Sequence, residues 1–208
     1  MRGTVAGRLA GRAVRPACAI AGLAGLLLAG CASARLTSTV PSGPAPGSPV
    51  PAQRYTAGCL PSQVRLAAGP RVAERTQQST LLVVIRNISA AGCALRGYPG
   101  IALAGRGGSR LPFRYRQGGD QMLTGRPPAL VSLPPGAAAY LAINKDHCVT
   151  FTRRIAGQLA VTLPGDRQPV YLRLARYPIL DYCGSKDPGH TVDITPFEPT
   201  AARVFPAR

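Results

Sequence analysis

The chain has 208 residues, among them 24 glycines, 21 prolines and no tryptophan, and 25 basic residues against 8 acids give a formal charge of +17. Abundant turn formers without long helical periodicities argue against a helix bundle and for an all-β domain. The charge is carried by arginine, with Lys145 and Lys186 the only lysines; Arg, Ala, Gly and Pro share GC-rich codons, so part of the bias belongs to the genome.

Residues 1–30 read as a signal peptide. Arg2, Arg8, Arg12 and Arg15 precede an apolar run from Pro16 to Gly30, which is short for a membrane span. The run ends in Leu28-Ala29-Gly30-Cys31, which resembles the bacterial lipobox, so Cys31 is the expected acylation site and the first mature residue. Cleavage after Ala32-Ser33-Ala34, giving a secreted protein, is the alternative, and an uncleaved anchor the third reading. Cys18 leaves with the signal. Residues 31–54 form a tether whose alternating prolines favour extended conformations and cannot build a core. The expected location is the outer face of the cytoplasmic membrane, with the domain held off the lipid surface.

Residues 55–198 are expected to fold as one domain, followed by a tail at 199–208. Short strands are read at Val64–Ala67, Thr80–Asn87, Leu111–Arg116, Ala129–Leu133, Ala138–Ile143, Leu159–Leu163, Val170–Leu174 and Thr191–Thr195. Thr80–Asn87 is the strongest, apolar on both faces and hence suited to the inside of a covered sheet. A turn carrying Cys93 follows, then a type II turn at Tyr98-Pro99-Gly100 with glycine at φ > 0. Pro134-Pro135-Gly136 and Pro164-Gly165-Asp166-Arg167 mark two further turns. Asn87-Ile88-Ser89 fits a glycosylation sequon but reads as turn chemistry. Strands at this spacing predict an immunoglobulin-like antiparallel β-sandwich.

Cys59, Cys93, Cys148 and Cys183 form an even set in an exported chain, so disulfides are the default, with three connectivities open. Sequential pairing gives separations of 34 and 35 residues and is preferred for that similarity. The alternative is an envelope Zn or Cu protein using His147, Cys148, Cys183 and His190, although no C-x-x-C or H-x-x-x-H spacing supports it. No cofactor motif, serine elbow, phosphate loop or paired-carboxylate motif is present, and a non-catalytic protein is expected. Asp146-His147-Cys148 makes a poor nucleophile and base if Cys148 is oxidised.

Arg106, Arg110, Arg114, Arg116 and Arg126 fall within 21 residues whose single acid is Asp120. They are the candidate binding residues for an anionic envelope polymer, lipid headgroups or an acidic protein partner; a merely solvated surface is the competing reading. Nucleic acid is not expected in an exported chain without a recognition helix or stacking motif.

Several pieces together resemble the bacterial secreted proteins and lipoproteins classed as domain of unknown function 4232. They are Cys59, Cys93-Ala94-Leu95-Arg96-Gly97-Tyr98-Pro99-Gly100, Leu133-Pro134-Pro135-Gly136 with Ala139, and Val192-Asp193-Ile194-Thr195-Pro196-Phe197. The resemblance runs from Cys59 to Phe197. It implies an immunoglobulin-like domain outside the membrane of high-GC Gram-positive bacteria, and supplies no catalytic residues. The expected role is a non-catalytic binding or interaction module of the cell envelope.

Overall fold

The computed structural model describes residues 53–70, 72, 77–150, 153–175 and 180–206. The signal segment with Cys18, the acylation candidate Cys31, and the tether as far as residue 52 lie outside the described residues. The strands are β1 (Val64–Ala68), β2 (Gln78–Asn87), β3 (Cys93–Arg96), β4 (Gly100–Gly105), β5 (Arg114–Gln117) and β6 (Leu130–Leu133). They continue with β7 (Ala138–Asp146), β8 (Arg154–Thr162), β9 (Pro169–Arg173), β10 (Asp181–Tyr182) and β11 (Thr191–Ile194). Short 3-10 turns stand at Pro61–Gln63, Pro188–His190 and Ala201–Val204, and no helix among the described residues is long and apolar enough to cross a membrane.

The domain is an all-β sandwich. One sheet has the order β1-β2-β7-β11-β5; in the other, β8 is flanked by β4 on one side and by β9 and β10 on the other, while β3 and β6 form a separate ribbon. Pairings between these strands are antiparallel except β5 with β11, which is parallel and sets Arg116 opposite Asp193. The exception follows from connectivity. β5 reaches the first sheet by a crossover from β4 of the second, not by a hairpin from its neighbour.

The period-2 reading of β2 explains the core. Leu81, Val83 and Ile85 face the space between the sheets, where they meet Leu103, Leu141, Ile143, Leu159, Val161 and Phe197. Leu82 points the other way and is also buried, in a second cluster with Met122, Leu123, Ala142 and Val204. Both faces of β2 are therefore covered, as an apolar strand of this kind requires. The second cover includes the segment read as a C-terminal tail: its 3-10 turn docks on the outer face, Val204 is fully buried, and Thr124 donates its N–H to the Val204 carbonyl at 2.9 Å.

Local details differ in instructive ways. Gly97, not Gly100, takes the left-handed conformation, at φ 94°, while Gly100 is the first residue of β4. The turn is thus made one step earlier, and Pro99 leads directly into the strand. The β8–β9 hairpin turns at Gly165, φ 84°, as read. The Cys93 turn is a short strand, β5 begins only at Arg114, and β8 starts five residues before Leu159. The sequon asparagine is fully buried: Asn87 Nδ2 donates to the carbonyls of Ala91 and Leu133, and its Oδ1 accepts from the Ser89 amide and hydroxyl. It is a turn anchor.

Candidate anion-binding edge

β4 and β5 each pair on one side only with a named strand, and the chain between them closes that flank of the sandwich. Gly105, Gly107 and Gly108 turn the chain, with Gly108 N–H donating to the Gly105 carbonyl at 3.0 Å. Arg110 then bridges back to Ala104, and Leu111 N–H reaches the Leu103 carbonyl at 2.8 Å. Leu111 and Phe113 are buried, and Phe113 meets Tyr182 edge-on with ring centroids 5.2 Å apart. The Tyr115 hydroxyl accepts from Leu103 N–H at 2.8 Å. Burial raises the Tyr115 phenol above its ordinary value, against the Leu103 bond and the nearby Arg110 charge.

These alternating anchors turn the other residues outward. Arg106, Arg110, Arg114 and Arg116 are all exposed along the same flank. Arg126 joins them by a different route. Asp120 Oδ1 accepts from the Met122 and Leu123 amides, and Gly119 lies so tightly on Gly125 that a Cβ there would come within 2.4 Å of the Gly125 nitrogen. The loop after β5 thus folds back on itself and returns the exposed Arg126 towards the end of that strand.

Arg116 differs from the other four. It grips Asp193 with Nε on Oδ1 at 2.5 Å and Nη2 on Oδ2 at 3.0 Å. Burial pushes the Asp193 carboxyl up, Arg116 pulls it back, and the Asp120 and Asp146 charges push it up again. Beside it runs a polar row. Thr80 donates to Asn144 at 2.7 Å, Asn144 to Asp120 at 2.7 Å, and Gln78 to Asp146 at 3.1 Å. Among the described residues, no buried side-chain nitrogen or oxygen lacks a hydrogen-bond partner. The row is a satisfied network that fixes the outer face of β2, β7 and β11.

The cysteines pair sequentially. Cys59–Cys93, with Cα atoms 4.8 Å apart, ties the entering chain to β3; Cys148–Cys183, at 5.7 Å, ties the end of β7 to β10. Of the metal candidates, the sulfurs of Cys148 and Cys183 lie near a carboxylate oxygen of Asp181, all within 4.8 Å, and neither His147 nor His190 joins that group. The sulfurs are bonded to each other, so Cys148 is neither a thiolate ligand nor a nucleophile. Two cations also claim Asp181: Lys145 Nζ at 4.0 Å from Oδ1 and Arg153 Nε at 3.5 Å from Oδ2. Positive charge there opposes a bound cation. His190 Nδ1 lies 2.9 Å from the Asp187 carbonyl.

The buried charges Lys145, Asp181, Asp187, Asp193 and Glu198 were not singled out from the sequence. A signal existed for Lys145, because extending the inward positions Leu141 and Ile143 by two lands on it. A cleft of about 350 Å³ beside Cys59 is lined by Leu95, Leu130, Leu163, Pro164, Thr56 and Arg96, among others, and carries no carboxylate or histidine.

The chain matches no curated protein and no solved structure. The sequence profile of one family, described as Domain of unknown function (DUF4232), matches residues 59–198. That stretch runs from the first paired cysteine past β11 and takes in all the strands described, both disulfides and the whole basic flank. The chain belongs to the DUF4232 family.

Proposed function

We propose that the domain is a non-catalytic binding module of the cell envelope, lipid-anchored at Cys31, which engages an anionic polymer or an acidic protein through Arg106, Arg110, Arg114 and Arg126. The observation that carries this reading is the flank itself. Arg106, Arg110, Arg114 and Arg126 are all exposed, on the β4–β5 connection, β5 and the loop that folds back after it, with Leu111 and Phe113 buried and Tyr115 half-buried among them. Arg116 serves the fold there, through Asp193, and contributes field more than contact.

The test uses a poly(glycerol phosphate) polymer as probe. Binding should weaken as salt rises, because exposed charges are screened beyond ~8 Å at physiological ionic strength. Changing Arg106, Arg110, Arg114 and Arg126 to Gln should lower affinity by roughly tenfold or more. The same change at Arg65, Arg96, Arg167 and Arg173, which are also exposed, should cost less. Equal losses in the two sets would mean that net charge alone is read and that no site exists. For the anchor, Cys31→Ala should move the protein from the membrane fraction to the medium or leave it as precursor; unchanged partitioning and mature mass would refute lipidation.

A further inference from the structure

Lys145 is among the largest fully buried side chains of the described residues, and it faces carboxylates from the opposite side of the sandwich. It sits at an inward position near the end of β7, in the first sheet; Asp181 comes from β10, in the second. Nζ stands 4.0 Å from Asp181 Oδ1, with the Lys145 side chain wholly shielded from solvent and that of Asp181 6% exposed. Asp187 is a third member. A Cβ on Gly189 would stand 2.6 Å from the Asp146 carbonyl oxygen, 2.9 Å from Lys145 Nζ and 3.1 Å from Asp187 Oδ1. Only a residue without a side chain fits there, against the Asp146 carbonyl and over Lys145 and Asp187.

An ammonium and a carboxylate held without water are costly to keep charged, and their attraction repays that cost only in part. Proton transfer between them leaves an amine beside a carboxylic acid, the pair from which an amide forms. We propose that Lys145 and Asp181 are joined by an intramolecular amide bond that covalently ties the two sheets.

The balance is closed within the chain. Nζ forms a bond to Asp181 Cγ, the Cγ–Oδ1 bond breaks, and the two protons shed by nitrogen leave with Oδ1 as water. Nothing is oxidised or reduced, and one positive and one negative charge disappear together. Arg153 Nε, 3.5 Å from Oδ2, stands where negative charge builds on that oxygen as the carbon becomes tetrahedral. Asp187 is held ionised by the amides of Gly189, Val149 and Thr150, and is the neighbouring base that passes protons from Nζ to the departing oxygen. Desolvation lowers the Lys145 ammonium below its ordinary value, against the raising influence of Asp181, Asp187 and Asp146, which favours the reactive amine. The product lies three residues inside Cys148 on one strand and two inside Cys183 on the other. It would tie the same two strands that the disulfide closes, deeper in the fold.

The experiment is peptide mapping of the full-length protein after reduction, alkylation and unfolding. Trypsin should fail to cut after Lys145, because an acylated lysine carries no charge. The Lys145 and Asp181 segments should appear as one branched peptide, about 18 Da lighter than the two apart. Lys145→Met should release the Asp181 peptide as a linear species. Linear wild-type peptides, one ending at Lys145 and another carrying unmodified Asp181, would overturn the proposal, as would a water loss mapped to any other residue. The decisive result comes from the wild-type chain and does not depend on whether a variant folds.

Discussion

Arg116 and Asp193 hold each other by two parallel hydrogen bonds across the parallel pairing of β5 with β11. The guanidinium is largely exposed and the carboxylate nearly buried, with side-chain exposures of 63% and 9%. The asymmetry decides what each mutation does. Arg116→Gln leaves a desolvated carboxylate without its cation and should lower stability by roughly 2 kcal/mol. Arg114→Gln, two residues away and also on β5, should change it by less than about 0.5 kcal/mol. Urea unfolding of both variants checks the contrast; equal effects would show that the pair contributes nothing specific.

The C-terminal residues bear on stability through Val204. Its side chain is fully buried against Leu82, Met122, Leu123 and Ala142, and Arg203 reaches back to Glu198 Oε2 at 2.9 Å. Val204→Ala should cost roughly 2 kcal/mol from lost burial and the remaining void. Ending the chain at Thr200 should cost more and raise binding of a hydrophobic dye, because Leu82 and Ala142 then face water. A truncated chain as stable as the full one would show that the docked turn is decoration.

Much of the frame was legible because it is local. The alternation of Leu81, Val83 and Ile85 with Leu82 and Val84 gave β2 and its two covered faces; an even cysteine count with matched spacings gave the disulfides. What escaped depends on residues distant in sequence. Nothing near Arg116 announces Asp193, since their pairing requires a crossover between sheets. Val204 lies in a segment with no strand period, and its burial is decided by the apolar outer face of β2 and β7. Gly97 and Gly100 both flank Tyr98-Pro99, and the local sequence does not say which of them turns left-handed. The basic flank was half legible: five arginines within 21 residues mark it, but nothing there shows the salt bridge that makes Arg116 a structural residue.

Asp187 should govern part of the acid limb of the stability curve. Burial pushes its carboxyl up, but the backbone amides of Gly189, Thr150 and Val149 outweigh this and leave it below the ordinary carboxylate value. A depressed folded value means that the unfolded chain takes up the proton first. The contribution is therefore complete above the unfolded value of about 3.9 and is lost as pH falls through the folded one. Asp193 is raised and acts with the opposite sign, favouring the fold where it is protonated and losing that advantage as pH rises through its folded value. Asp187→Asn should thus be less stable than wild type at neutral pH, with the gap narrowing below about pH 4. A gap constant down to pH 2 would show that Asp187 gains nothing from its charge.

The two disulfides should not contribute equally, although their loops are nearly the same length. Cys59–Cys93 closes a separation of 34 residues and Cys148–Cys183 one of 35. Chain entropy alone assigns each about 4 kcal/mol. The amide between Lys145 and Asp181 changes this account, because it already closes the second loop in the unfolded chain. Replacing Cys59 and Cys93 by Ser should therefore cost about 4 kcal/mol, while replacing Cys148 and Cys183 should cost only a fraction of that. In a Lys145→Met background the loop is open again, and loss of Cys148–Cys183 should recover its full effect. Urea unfolding of the four variants, each compared with its own disulfide-bonded parent, measures this coupling as a double-mutant cycle. Equal costs for both bridges in the Lys145 background, unchanged by Lys145→Met, would mean that the two sheets are tied at this end by sulfur alone.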